Sequence, residues 1–97
     1  MKKIAKIKVT RELLAKARFL AIAADPTRMR ILIRMFQVKK AMVSEVAEAL
    51  SMSIAAVSHH LQIMKESGFL ESEKKGTSVY YTVLLSPELL ALKKFIL

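Results

Sequence analysis

Residues 44–68 read SEVAEALSMSIAAVSHHLQIMKESG, and the spacing of their apolar positions decides the fold. Val46, Ala47 and Leu50 give a short first helix its inward stripe, with Ser44 expected as its N-cap. Ser51-Met52-Ser53 is a turn, and Ser53 is placed to cap a second helix. In that helix Ile54, Val57, Leu61 and Met64 recur at i, i+3, i+7 and i+10, and Gly68 follows it as a C′ glycine. The opposite side carries Ala55, Ala56, Ser58, His59 and Gln62. A helix that enters a DNA major groove needs short side chains for close approach and a few donors and acceptors for base edges. The stretch is therefore expected to be a helix-turn-helix that reads double-stranded DNA.

Upstream, Asp25-Pro26 restarts the chain, with Asp25 as cap and Pro26 at the first helical position. Met29, Leu32, Ile33 and Phe36 then form an apolar stripe, while Arg30 and Arg34 share the outer face. Before it, Thr10 is expected to cap a helix over residues 10–24 that is apolar nearly all round. Leu13, Ala17, Leu20 and Ala24 lie on one side, and Phe19, Ile22 and Ala23 on another. A helix with two apolar faces calls for two partners. Residues 1–9, with KKIAKIKV inside them, read as a basic arm or short strand, and Gln37 to Val43 as a linker holding Lys39-Lys40.

Downstream the period changes to two. Phe69–Lys74 and Ser78–Leu84 read as paired strands around Lys75-Gly76-Thr77, making residues 69–84 a hairpin. Ser86 and Pro87 open a last helix over 87–97, whose Leu89, Leu90, Leu92, Phe95 and Ile96 exceed one face. Helices, a helix-turn-helix and then a basic-tipped hairpin is the winged-helix order. The expected fold is mostly α with a small β-hairpin wing, one domain over 1–97. Leu13 and Leu20 of the first helix, with Leu89, Leu92, Phe95 and Ile96 of the last, are the candidate dimer contacts.

Ninety-seven residues with 54% hydrophobic content make a small core that a second copy would usefully enlarge. No cysteine is present, which excludes disulfides, thiolate metal sites and cysteine catalysis, and fits a reducing cytoplasm. The longest early apolar run, Phe19 to Ala24, falls short of the roughly 7–15 residues of a secretory h-region. No stretch approaches the ~20 apolar residues of a spanning helix. The chain is expected in the cytoplasm, away from membranes.

The net charge of +9 is uneven. Residues 1–40 hold twelve Lys/Arg against Glu12 and Asp25, a net of +10, and the remainder carries −1. Such asymmetry points to a polyanionic partner, against the plainer reading that basic residues solubilise an apolar chain. The second helix of the pair is itself nearly neutral, with only Lys65 and Glu66.

Single residues sort by chemistry. His59 and His60 are the only histidines, and adjacent helical residues point about 100° apart, so the two cannot converge on a metal. His59 projects with Ser58 and Gln62 toward bases or phosphates; its plain alternative is solvated surface. His60 is read as a packing or phosphate-touching residue. Gln62 can pair with adenine through its amide, and Ser53 stands at a helix N-terminus suited to phosphate as well as to capping. Lys74, Lys75 and Thr77 are candidates for backbone or minor-groove contact at the wing, against an ordinary charged hairpin tip. Tyr80, Tyr81 and the methionines 29, 35, 52 and 64 read as packing. Scattered carboxylates, two glycines and no acid partner for either histidine leave no catalytic constellation.

The chain resembles the ArsR family of bacterial and archaeal repressors. The resemblance runs through Ala24-Asp25-Pro26-Thr27-Arg28-Met29-Arg30-Ile31-Leu32, Val46-Ala47-Glu48-Ala49-Leu50 and Val57-Ser58-His59-His60-Leu61. It continues through Lys65-Glu66-Ser67-Gly68-Phe69-Leu70 to Gly76-Thr77-Ser78-Val79-Tyr80-Tyr81. It implies a homodimer, joined through first and last helices, that represses transcription from an imperfect inverted repeat. Many members release DNA on binding a metal or metalloid, and here the pattern departs. The family's Cys-x-Cys aligns with Met42-Val43-Ser44, and the last helix offers only Glu88 where other members carry His and carboxylate ligands. No metal or other cofactor is expected, and a two-cysteine redox switch is impossible. The competing expectation is a winged-helix protein-interaction module without specific DNA binding, which the neutral second helix would suit.

Overall fold

A computed structural model describes residues 3–97. Its elements are α1 (Arg11–Ala23), α2 (Pro26–Val38), β1 (Lys40–Met42), α3 (Val43–Leu50), α4 (Ile54–Glu66), β2 (Leu70–Lys75), β3 (Ser78–Val83) and α5 (Pro87–Ile96). Four helices start on side-chain oxygens, as expected. Thr10 Oγ1 accepts the Leu13 N–H at 3.0 Å, Asp25 Oδ2 that of Arg28 at 2.9 Å, Ser53 Oγ that of Ala56 at 3.1 Å, and Ser86 Oγ that of Leu89 at 3.3 Å. The exception is α3. Ser44 lies inside the helix, and the Glu45 carboxylate reaches back to take the Met42 N–H at 2.8 Å. Because β1 ends at Met42, α3 begins directly from the strand and Ser44 has no cap position to fill.

That strand is a correction to the expected linker. Lys40, Ala41 and Met42 pair antiparallel with Thr82, Tyr81 and Tyr80, giving a three-stranded sheet in the order β1-β3-β2. The hairpin itself turns on two residues, Gly76 and Thr77, with Lys75 still paired to Ser78. Gly76 sits at φ +62°, the position a two-residue hairpin loop reserves for glycine at its first central residue. Phe69 precedes β2 rather than opening it, fully buried, and its carbonyl accepts the Leu84 N–H at 3.0 Å.

The core lies between α2, α3, α4 and the inner face of the sheet. From α4 it takes Val57, Leu61 and Met64, from α3 Val46, Ala47 and Leu50, and from the sheet Ala41, Leu70, Tyr81 and Val83. On α2 the buried set is Ile31, Leu32, Met35 and Phe36, with Met29 and Ile33 half-buried. The stripe is turned from the expected one because α2 packs on α3 and β3 while α1 and α5 also rest against it. Each such Leu, Ile, Phe or Met withdrawn from water contributes about 1.5–3 kcal/mol. No helix among the described residues is long and apolar enough to cross a membrane.

The first and last helices are only half satisfied. α1 fully buries Ala23 alone; Phe19 stacks on Phe69 with ring centroids 4.6 Å apart, while Leu13, Leu14 and Leu20 stay exposed. α5 anchors through Leu89, which is wholly buried in the core, and leans Leu92 and Ile96 on it. Leu89 is thus corrected from a candidate dimer contact to a core residue. Phe95 is 84% exposed. Between α1 and α5 runs an apolar groove of 740 Å³ lined by Ala15, Phe19, Leu20, Ala91, Leu92 and Phe95. Residues 3–9 form neither helix nor strand and are exposed throughout; Met1 and Lys2 of the expected arm lie outside the described residues.

Candidate nucleic-acid interface

The α3–turn–α4 unit depends on an unusual residue at its bend. Ser51 takes the left-handed conformation at φ 54°, ψ 46°, and this lets the Met52 N–H return to the Ala47 carbonyl at 3.0 Å, closing the end of α3 as a glycine would. Arg30 adds a second closure, donating from Nη2 to the Leu50 carbonyl at 2.8 Å. At its far end α4 stops in the same way. The Phe69 N–H donates to the Met64 carbonyl at 2.9 Å and Gly68 adopts φ +80°. The helix is therefore fixed at both ends, with Val57, Leu61 and Met64 fully buried beneath it.

Its outward residues divide into two groups. Ser53, Ala55, His59 and Gln62 are exposed, whereas Ala56 and Ser58 lie half-buried along the two edges of that face. Gln62 Oε1 accepts the Tyr81 hydroxyl at 3.5 Å, a long contact that ties α4 to β3. A carbonyl oxygen has two lone pairs, so that contact leaves the amide able to meet a base edge. His60 is half-buried and turned toward α2, its Nδ1 3.5 Å from Arg28 Nη1. Arginine is always a donor, so this pairing uses the neutral imidazole with Nδ1 as acceptor. The same guanidinium donates from Nε to the Ile22 carbonyl at 2.8 Å. Asp25 completes the cluster. The Arg28 backbone N–H on its carboxylate holds it below the usual aspartate range, against a partial rise from burial and with help from the Arg28 charge.

Two residues at this surface were missed by periodicity. Ile54 belongs by angle to the core side of α4, yet it is 56% exposed, because as the first residue of the helix it projects past the end of the packed body. Arg28 gives no sequence signal beyond its place in the Asp25-Pro26-Thr27-Arg28 start of α2. On the wing, Lys74 and Thr77 are exposed. Lys75 Nζ lies 4.0 Å from Glu73, whose other oxygen is 3.6 Å from Lys40 Nζ; Lys40 also sits 5.4 Å over the Tyr80 ring. Tyr81 is buried and Tyr80 half-buried, both within β3. Among the described residues no three His, Asp or Glu side chains gather as a metal site would require. Met42, Val43 and Ser44 do not supply the donors that the resemblance would demand.

A helix-turn-helix with its second helix presented outward, followed by a hairpin wing, defines a winged-helix protein. The family model described as "Bacterial regulatory protein, arsR family" matches residues 25–72, and the chain belongs to that family. The HTH-type transcriptional regulator MJ1325 of Methanocaldococcus jannaschii is 32% identical over 60 residues, covering 62% of this chain and 67% of that one. The arsenical resistance operon repressor of Escherichia coli K12 is 35% identical over 68 residues, 70% of this chain and 56% of the repressor. The chain spans about half the length of curated relatives such as the cadmium resistance regulator CadC of Listeria innocua, with 32% identity over 65 residues, 67% of this chain and 55% of CadC. Among solved structures, HlyU of Vibrio cholerae superposes with a TM-score of 0.80 at 24% identity, over 91% of this chain and 94% of HlyU. The homodimeric winged helix-turn-helix DNA-binding domain Mb0332 of Mycobacterium bovis does so at 0.76 and 27%, over 88% and 77%. The family is one of transcriptional regulators.

Proposed function

We propose that this chain is a cytoplasmic, homodimeric repressor that binds an inverted-repeat operator in double-stranded DNA and catalyses no reaction. The observation that carries this is the presentation of α4. Three fully buried side chains hold it down, while Ala55, His59 and Gln62 face outward with short or hydrogen-bonding groups. In this reading Ser53 and the first-turn N–H groups of α4 meet phosphate, Ser58, His59 and Gln62 meet base edges, and Ala55 and Ala56 allow the approach. Lys74, Lys75 and Thr77 follow the backbone from the wing. The exposed Leu13, Leu20 and Phe95, with Leu92 and Ile96 behind them, cover the α1–α5 groove of a second copy, an arrangement supported by the homodimeric Mb0332. The protein-interaction alternative has no comparable support, since the relatives are repressors and resistance regulators. Neither the Met42-Val43-Ser44 segment nor Glu88 suits metal release, which leaves an organic ligand, a protein antagonist or no effector at all.

The test is selection of sheared genomic DNA on the purified protein at near-physiological salt, followed by sequencing of what is retained. Enrichment of one inverted repeat with half-sites about a helical turn apart is expected. Uniform retention would reduce the protein to a non-specific binder, and no retention would end the reading. Affinity should also fall by about 10³–10⁵ between 50 and 200 mM salt if 6–10 phosphates are neutralised.

A further inference from the structure

The reading face of α4 is nearly uncharged, and a DNA duplex is not. Within α4 the only basic side chain is Lys65, beside Glu66. Several cations elsewhere are already engaged. Lys16 pairs with Glu12 at 3.0 Å, Lys40 and Lys75 share Glu73, and Arg28 and Arg30 hold backbone carbonyls. The segment before α1 gathers three cations within six residues. Lys3, Lys6 and Lys8 enter no ion pair among the described residues, and no acidic residue precedes Glu12. Ile4, Ile7 and Val9 between them are 84%, 93% and 73% exposed, so the segment rests on nothing of its own protomer. The molecule measures 65 Å along its longest axis against 25 and 22 Å across.

We propose that residues 3–9 are a DNA-tracking arm, in which Lys3, Lys6 and Lys8 run along phosphates beside the site read by α4 and supply the charge that α4 lacks. The inference rests on the DNA-binding reading above and assigns where its affinity comes from. At full extension the seven steps from Lys3 to Thr10 reach about 24 Å, the axial length of about seven phosphates on one strand at 3.4 Å each. On such an extended path Lys6 and Lys8 share one side with Ile4, and Lys3 falls on the other with Ala5, Ile7 and Val9. An anionic membrane is the weaker partner. A surface-lying segment uses a helix with an apolar face and aromatic anchors, and this one is not helical and holds no aromatic residue.

The experiment compares the full chain with its triple variant Lys3→Ala, Lys6→Ala, Lys8→Ala on the selected operator and on a scrambled duplex, across 50–200 mM salt. Each lost phosphate contact flattens the plot of log K against log salt by about 0.9. The arm predicts a slope flatter by about 5 for a dimer, equal on both duplexes, with thermal unfolding unchanged because none of the three side chains is packed. A variant with the parent's slope overturns the proposal. So does a parent that sediments with phosphatidylserine vesicles, loses this in the variant, and keeps its DNA slope. If the parent itself retains no DNA, the DNA-binding reading fails first, and the arm with it.

Discussion

At the scale of single residues, the interface separates side chains that hold α4 from side chains that it offers. Ser53 does both, so Ser53→Ala should lower stability by about 1 kcal/mol through the lost cap, read by denaturant unfolding, and weaken operator binding further than that loss explains. His59 and Gln62 are offered. Replacing either with alanine should cost about 1–3 kcal/mol on the operator and relax preference at one or two base positions; equal losses on scrambled DNA would demote that residue to a phosphate contact. Asp25 gives a pH prediction. Its carboxyl is held low by the Arg28 N–H, so the stability it contributes is present above the ordinary carboxyl range and is lost as pH falls through its depressed folded value. Asn caps as well as Asp but does not titrate. The stability gap between parent and Asp25→Asn should be widest at neutral pH and close in acid.

Among elements, those whose cause is local were legible in the sequence. Thr10, Asp25-Pro26, Ser53 and Ser86-Pro87 each announce a helix through a side chain bonding three residues ahead. β1 was not legible because nothing in Lys-Ala-Met is strand-like; it is a strand only because Tyr80–Thr82, some forty residues on, pairs with it. Ser44 was misread for the same reason, since that pairing moves the helix start. Leu89 and Phe95 shared one apolar pattern on α5, and only the packed body shows that the first goes in and the second stays out. The face of α4 was readable from its period, but the fate of Ile54 required knowing where the body ends. The left-handed Ser51 marks a strained link between α3 and α4. A non-glycine residue costs roughly 1–2 kcal/mol there, partly balanced by the greater chain entropy of glycine. Ser51→Gly should therefore raise stability by about 0.5–1 kcal/mol in denaturant unfolding, with the helix-turn-helix unchanged.

For the whole molecule, the decisive quantity is the apolar surface left on α1 and α5. Phe95→Glu places a charge where the groove expects a ring. Analytical ultracentrifugation should show a monomer at concentrations where the parent pairs, with the fold intact because Leu89 still anchors α5. Operator affinity should then fall by about 10² or more, since a second half-site bound by a linked copy contributes that much through effective concentration. A dimeric Phe95→Glu protein would remove this face from the assembly. The contacts of Arg28 carry one more consequence. One guanidinium touches the last turn of α1 through the Ile22 carbonyl and α4 through His60, so the helix proposed to pair and the helix proposed to read meet at one side chain. Linkage between two equilibria is symmetric. Whatever factor a duplex adds to the affinity of one copy for another, pairing returns to the affinity for the duplex. Cutting the Arg28 tether with Arg28→Met should leave each equilibrium in place and shrink the factor they share.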